Sequence, residues 1–115
     1  MITIYHNPRC SKSREALALL QQHDSKSLTV IDYMKTPPTY DELTNILAKL
    51  NIPARSLLRA KETEYSSLQL NDPALTEQQL ITAMTEHPKL IERPIVINGE
   101  KAAIGRPLSN ISAIL

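Results

Sequence analysis

The first thirty-odd residues constrain the fold most, because two strand patterns flank one helix pattern with only short connections between them. From Ile2 to His6, two sets of side chains alternate along the chain and β-branched residues are frequent, which is typical of a strand. Ser11 to His23 carries apolar residues at helical spacing, and Leu28 to Tyr33 is a second strand pattern. This order predicts two parallel strands that are joined by a right-handed crossover.

The middle of the chain is predicted to be almost entirely helical. Two segments have the capping-box form Thr-x-x-Glu or Thr-x-x-Gln, in which the side chains at both ends of the motif satisfy backbone N–H groups. Apolar residues at i, i+3, i+4 and i+7 follow the first of them and indicate an amphipathic helix. The predicted helices open at Thr39 and Thr76, the second running to His87, with shorter ones over Pro53 to Leu58 and Glu62 to Leu68.

Strand character returns near the end of the chain. Pro94 to Ile97 is a strand pattern, Asn98-Gly99 predicts a type I′ hairpin, and Ala102 to Ile104 is the returning strand. Pro107 to Ile114 is predicted to be a closing helix. The order β-α-β, helices, β-β-α is that of an α/β, thioredoxin-like fold with a mixed sheet. Residues 1–115 are predicted to form one such domain, with a helical insert at about 38–88.

Composition excludes several classes of function. A net charge of +1, four Tyr and no Trp or Phe argue against a nucleic-acid surface, and no apolar run approaches the length of a membrane span. The three histidines show no metal-ligand spacing to one another or to the cysteine, so no metal site is expected. A single cysteine cannot form an internal disulfide, which favours the cytoplasm, where free thiols are kept reduced.

That cysteine, Cys10, is the first candidate for chemistry. It lies where the first strand pattern gives way to the first helix pattern, and Arg9, Lys12 and Arg14 surround it in sequence. Unpaired N–H groups at a helix start, the helix dipole and nearby cations all favour thiolate over thiol. Because the same features bind oxyanions, the sequence predicts a nucleophilic sulfur beside an anion site.

Three arginines in separate predicted loops are the candidates for holding that anion. Arg59, Arg93 and Arg106 each lie at the end or edge of a predicted element. A guanidinium donates two parallel hydrogen bonds, which suits a tetrahedral oxyanion. In a thioredoxin-like fold the loop before the third strand lies beside the cysteine loop, and a cis Arg93-Pro94 bond would fit there.

Four separated motifs together resemble the glutaredoxin-dependent arsenate reductase family over nearly the whole chain. They are Tyr5 to Arg14, Leu57-Leu58-Arg59, Glu92 to Val96 and Gly105-Arg106-Pro107. The resemblance implies that Cys10 is the nucleophile and that Arg59, Arg93 and Arg106 hold arsenate and then the arsenite adduct. It further implies that His6, Ser13 and Arg14 support the thiolate and its loop. Lys12, where the chain departs from the family, adds a positive charge that suits an anion. The family commonly has Gly and Thr where this chain has Ser11 and Lys12.

By the same resemblance, the chain is an oxidoreductase of arsenic detoxification with no bound cofactor. The thiolate would attack the arsenic of bound arsenate and expel water, and the arginines would offset the developing charge. Since the chain has no second cysteine, an external thiol must resolve the adduct. Family members use glutathione as co-substrate and glutaredoxin as partner, and release arsenite. We expect a monomer with no nucleic-acid or membrane partner.

Two alternatives stay open from the sequence. The first is a redox-sensing regulator of the same fold: Ser13 prevents a Cys-x-x-Cys switch, but glutathionylation of Cys10 is still available. The second is a thiol-binding protein that acts on disulfides without arsenate turnover. A low-molecular-weight phosphatase-like reductase is excluded, because its Cys-x5-Arg motif would need arginine where the chain has Ala16.

Overall fold

The structure is a computed structural model that describes residues 2–23 and 28–115. The chain divides into two compact units. One, the sheet unit, contains the segments before Pro37 and from Arg93 onward, and the other, the helical unit, spans Pro37–Glu92. The assignment of both units to one domain with an insert at about 38–88 stays a prediction.

The sheet unit is built on four strands in the order β2-β1-β3-β4. Strands β1 and β2 are parallel, β1 and β3 are antiparallel, and so are β3 and β4. This mixed sheet, with its β-α-β and β-β-α halves, confirms the predicted thioredoxin-like fold. The strands are β1 (Ile2–His6), β2 (Leu28–Asp32), β3 (Ile95–Asn98) and β4 (Lys101–Ile104).

Helix α1 (Ser11–His23) has the predicted bounds and packs its apolar stripe into the core of the sheet unit. Ala16 and Leu20, one turn apart, are both fully buried together with Ile4 and Val96. Burial of this continuous aliphatic surface holds the helix against the sheet.

Helix α6 (Ser109–Ser112) is shorter than the predicted closing helix over residues 107–114. The backbone after it forms i→i+3 turns, in which the N–H of Ile114 donates to the oxygen of Ile111 at 3.1 Å and that of Leu115 to Ser112 at 3.3 Å. The bonds of this last segment therefore have the tighter, three-residue spacing.

The hairpin between the last two strands also differs from the predicted type I′ turn. Asn98 pairs with Lys101, so the loop is Gly99-Glu100 rather than Asn98-Gly99. Of these two loop residues only Gly99 has a positive φ, 62°. A positive φ at the first loop position alone is the pattern of a type II′ turn, in which glycine takes that position.

The helical unit has four α-helices and a 3₁₀ turn, largely as predicted. Both capping boxes are present, because Thr39 and Thr76 accept the N–H of the residue three positions later and receive its side chain in return. Pro53 precedes its helix instead of occupying the first turn, and the Glu77 carboxylate accepts the N–H of Ala54 at 3.1 and 3.0 Å. The elements are α2 (Tyr40–Leu50), α3 (Ala54–Leu57), α4 (Thr63–Ser67), α5 (Glu77–Glu86) and the 3₁₀ turn Pro88–Leu90. None of the helices within residues 2–23 and 28–115 has both the length and the apolarity to cross a bilayer.

Candidate active site

Cys10 occupies the cap position at the start of α1. Its carbonyl accepts the N–H of Arg14 at 3.0 Å, which is the first bond of the helix, and its own N–H donates to the Asn7 oxygen at 3.0 Å. The N–H groups of Lys12 and Ser13 donate to its sulfur. A serine or aspartate oxygen usually accepts these bonds, so here the thiol group itself caps the helix.

Two of the three predicted arginines meet at this sulfur. Nη2 of Arg106 lies 3.5 Å from Sγ of Cys10, and the Arg93 guanidinium also hydrogen-bonds the sulfur. Nε of Arg106 donates to the backbone oxygen of Arg93 at 2.7 Å. The topology explains the meeting, because β1 ends, β3 begins and β4 ends at one edge of the sheet. The Arg93-Pro94 and Arg106-Pro107 bonds are both cis.

The turn that carries Arg106 is closely packed. The N–H of Gly105 donates to the Pro94 oxygen at 2.9 Å, and the amide of Asn110 donates to the Arg106 oxygen at 3.4 Å. A β-carbon on Gly105 would lie 2.8 Å from side-chain atoms of both Pro94 and Ile111. Glycine therefore allows the turn to approach the proline that follows Arg93.

The pKa of Cys10 is lowered from that of an ordinary thiol. Partial burial raises it, since a thiolate is solvated less well there, but three kinds of favourable contact outweigh that cost. These are the hydrogen bond from Arg93, the N–H groups of Ser13 and Lys12, and the positive charge of Arg93. The pKa of Arg93 is raised in spite of its burial, because Cys10 and Tyr33 both favour the charged guanidinium.

His6 and Ser13 form a buried pair beneath the cysteine loop. Nδ1 of His6 lies 2.6 Å from Oγ of Ser13, which also accepts the N–H of Asn7 at 2.9 Å. Burial lowers the pKa of His6, with the charge of Arg14 adding to the effect, although Asp32 and the contact with Ser13 oppose it. The lowered pKa favours the neutral imidazole. Ser13 therefore has two roles in the site. Its N–H contributes to the lowered pKa of Cys10, and its hydroxyl oxygen accepts the N–H of Asn7 in the cysteine loop.

The two cations nearest in sequence after the cysteine have their charged groups engaged elsewhere. Nη1 of Arg14 donates to the Pro8 oxygen at 2.9 Å and so ties the loop to the helix. Nζ of Lys12 lies 3.8 Å from the Glu15 carboxylate on an exposed face. Lys12 reaches the sulfur through its backbone N–H, and the charged donors at the sulfur come from Arg93 and Arg106, far along the chain.

Arg59 belongs to the helical unit, where its backbone and side chain are both held. Its N–H donates to the Leu90 oxygen at 2.8 Å, while Nη1 lies 3.3 Å from Oε1 of Glu92 in an ion pair. The two side chains are 19% and 28% exposed. In the part of the chain that the structure describes, the buried Nε of Arg59 has no hydrogen-bond partner. The role of Arg59 as an anion ligand stays a prediction.

Sequence reasoning missed two residues that influence these arginines. Tyr33, 1% exposed, helps to raise the pKa of Arg93 through its electrostatic influence, and Glu92 pairs with Arg59. Their place in the sequence carried a signal: Tyr33 comes directly after β2, at the sheet edge where the cysteine loop lies, and Glu92 directly precedes Arg93. A polar group in either place can reach a functional side chain.

Taken together, the site of the sheet unit brings two types of anion donor to one sulfur, the pKa of which is lowered. The helix start offers backbone N–H groups, and two guanidinium groups converge on the same sulfur. A tetrahedral oxyanion bound by these donors would present its central atom to the sulfur. Over residues 2–23 and 28–115, no group of three or more His, Cys, Asp or Glu could hold a metal ion.

Comparison with known proteins agrees with this arrangement. The arsenate reductase of Neisseria meningitidis serogroup A is 48% identical over 115 residues, covering 99% of this chain and 97% of that protein. The arsenate reductase of Haemophilus influenzae is 45% identical, with 99% and 98% covered. The solved structure of arsenate reductase from Vibrio cholerae superposes with a TM-score of 0.94 at 45% identity, covering 99% and 97%. The model of the ArsC family matches residues 5–114, and the chain belongs to this family.

Proposed function

We propose that this protein is an arsenate reductase in which Cys10 is the nucleophile. The observation that carries the proposal is the sulfur at the start of α1, which accepts hydrogen bonds from two backbone N–H groups and two guanidinium groups. Those contacts favour the thiolate and the anion that it attacks. Relatives of the same length and family that are named arsenate reductases support arsenate as the anion.

In the first step the Cys10 thiolate attacks the arsenic of hydrogen arsenate. The S–As bond forms, one As–O bond breaks, and that oxygen leaves as water after it takes two protons from solvent. Arsenic stays pentavalent, and the adduct keeps one negative charge. Arg93 and Arg106 stabilise this charge as it is redistributed, because their donors are already aimed at the sulfur.

In the second step two external thiols reduce the adduct. They become a disulfide and supply two electrons and two protons, which convert arsenic(V) to arsenic(III). The S–As bond breaks, arsenous acid leaves, and the Cys10 thiolate is restored. The chain holds one cysteine, so neither thiol comes from the same molecule. Glutathione and glutaredoxin are the proposed donors, in the cytoplasm where such thiols stay reduced.

The test is arsenite release from arsenate in the presence of glutathione and glutaredoxin. We expect release by the wild type and none by Cys10→Ser, because a serine hydroxyl is not ionised at neutral pH and supplies no thiolate. Lys101→Ala, a change at an exposed position of β4, is the matched control and should turn over arsenate like the wild type.

A wild type that releases no arsenite under these conditions would contradict the proposal. Glutathionylation of Cys10 by oxidised glutathione, measured by mass in the same samples, then separates the remaining alternative. A protein that accepts glutathione but does not reduce arsenate is a thiol-binding or redox-sensing member of the same fold. Omission of glutaredoxin with glutathione retained tests which of the two thiols is required.

A further inference from the structure

We propose that Asn110 is a positioning residue that fixes the turn carrying Arg106 and so directs the Arg106 guanidinium to the Cys10 sulfur and its bound oxyanion. The inference rests on the proposed function only for the identity of that oxyanion. Both side-chain hydrogen bonds of Asn110 end on backbone oxygens of the turn, so its action passes through Arg106.

Asn110 holds the backbone of this turn at three points. Its side-chain Nδ2 donates to the Ile104 oxygen at 3.1 Å and to the Arg106 oxygen at 3.4 Å. Its own backbone N–H donates to the Pro107 oxygen at 3.0 Å. Because Ile104 is the last residue of β4 and Asn110 lies in α6, these bonds tie the end of the strand to the helix across the turn.

The helix that carries Asn110 is itself anchored in the core. Ile111, the next residue, is fully buried and packs close to Gly105, where a β-carbon would lie 2.8 Å from its side chain. The N–H of Arg106 donates to the same Ile104 oxygen that Asn110 reaches, at 2.9 Å. One residue of α6 thus holds the helix in place, and its neighbour holds the turn.

The backbone of the turn determines what the Arg106 side chain can reach. This residue is exposed, so its position depends on its backbone and its hydrogen bonds more than on packing. Its Nε donates to the Arg93 oxygen at 2.7 Å, and its Nη2 lies 3.5 Å from Sγ of Cys10. An arginine has several rotatable bonds, and a fixed backbone reduces the freedom that is lost when both contacts form.

The chemistry of an amide suits this position beside an anion site. Its nitrogen carries two hydrogens, one for each of two carbonyl oxygens, and the group has no charge. An aspartate in place of Asn110 would present oxygens to those carbonyls and would offset the charge of Arg106. Asparagine therefore fixes the turn and leaves the charge at the anion site unchanged.

The experiment compares wild type, Asn110→Ala, Arg106→Ala and the double variant by two readouts. One is the affinity for sulfate as a non-reacting oxyanion, measured by calorimetric titration, and the other is the pH midpoint of thiolate formation at Cys10, followed by ultraviolet absorbance. In Asn110→Ala we expect an affinity about two- to tenfold weaker, the scale of one lost hydrogen bond. The midpoint should rise, because a guanidinium held less closely to the sulfur favours the thiolate less. Ser112→Ala, a change at an exposed position of the same helix, is the matched control and should behave like the wild type.

The double variant decides whether Asn110 acts through Arg106. We expect Asn110→Ala to change neither readout once Arg106 is already alanine, because the two effects share one path. Either readout unchanged in Asn110→Ala, or an effect that persists in the double variant, would overturn the proposal. Asn110→Leu, close in size to asparagine but without a donor, replaces Asn110→Ala if that variant does not fold. Since neither readout needs arsenate turnover, a failure here is distinct from a failure of the proposed function.

Discussion

The arginines of the two units hold contrasting partners. In the sheet unit, Arg93 contacts a thiol, and Arg106 contacts the same thiol and a backbone oxygen. In the helical unit, Arg59 is paired with the carboxylate of Glu92. The carboxylate of Glu92 offsets the charge of Arg59, whereas the charge of Arg93 acts on the Cys10 sulfur and favours its thiolate. Arginines in similar loops thus have partners of different chemistry in the two units.

Helix starts give a second contrast between the units. Helices α2 and α5 of the helical unit are each capped by a threonine with a returning acidic or amide side chain. Helix α1 of the sheet unit is capped by the sulfur of Cys10. Where a residue has no chemical task, the local sequence supplies an ordinary cap. Where chemistry is needed, the cap and the reactive group are the same atom.

Arg93→Ala gives the strongest test of the difference between the arginines of the two units. Loss of a charged hydrogen-bond donor should weaken oxyanion binding by about 1.5–3 kcal/mol, which corresponds to about 10- to 150-fold in affinity. Calorimetric titration of sulfate or arsenate into wild type, Arg93→Ala and the exposed control Lys101→Ala measures it. An affinity in Arg93→Ala equal to that of the control would remove Arg93 from the anion site.

The pH dependence of Cys10 alkylation tests the lowered pKa of its thiol. In the folded protein the rate should stay high as pH falls below about 8.5, where an ordinary thiol is half protonated, and decline only near the lowered pKa. At pH 7 the folded chain should therefore react up to about 30-fold faster than the same chain unfolded in denaturant. Coinciding midpoints for the two states would contradict the lowered pKa.

The same shift has a defined sign for stability. Because the pKa of Cys10 is lower in the folded state, its contribution to the free energy of unfolding is complete above the unfolded value and is lost as pH falls through the folded one. Cys10→Ser should show no such loss between these two pH values.

Glu92→Gln, which removes the carboxylate that is paired with Arg59, is expected to have the smallest effect and tests the helical unit's side of the comparison. Both members of the pair are partly exposed, so we expect the free energy of unfolding to change by less than about 1 kcal/mol. If Arg59 binds the oxyanion, release of its charge should lower the arsenate KM about two- to threefold, and Arg59→Ala should raise it. A KM unchanged by both substitutions would exclude Arg59 from the reaction.

Local sequence predicted the site's scaffold because the relevant forces act over short distances. The strand Ile2–His6, the helix Ser11–His23 and both capping boxes follow from residues within a few positions of one another. The meeting of Cys10 with Arg93 was predicted only through the fold, since more than eighty residues separate them. Topology had to be inferred first, and the antiparallel β1–β3 pair then brings the start of β3 to the end of β1.

The parts that local sequence did not predict depend on partners or on backbone competition. Tyr33 and Arg93 are 60 residues apart in the chain, and the pairing of Glu92 with Arg59 spans 33 residues. The hairpin is displaced by one residue because Asn98 keeps its strand pairing with Lys101 and leaves Gly99 to take the positive φ. Register across the sheet therefore overrode the preferred dipeptide.

Because the Cys10 sulfur caps α1, a covalent change at this sulfur also affects the first turn of the helix. When Cys10 bonds to another atom, its lone pairs are no longer available in full to the N–H groups of Lys12 and Ser13. A group bound to the sulfur that carries oxygen atoms can accept hydrogen bonds from these N–H groups, whereas an alkyl chain cannot accept them. We therefore expect the first turn of the helix to be less disturbed by adducts that carry oxygen atoms than by alkyl adducts.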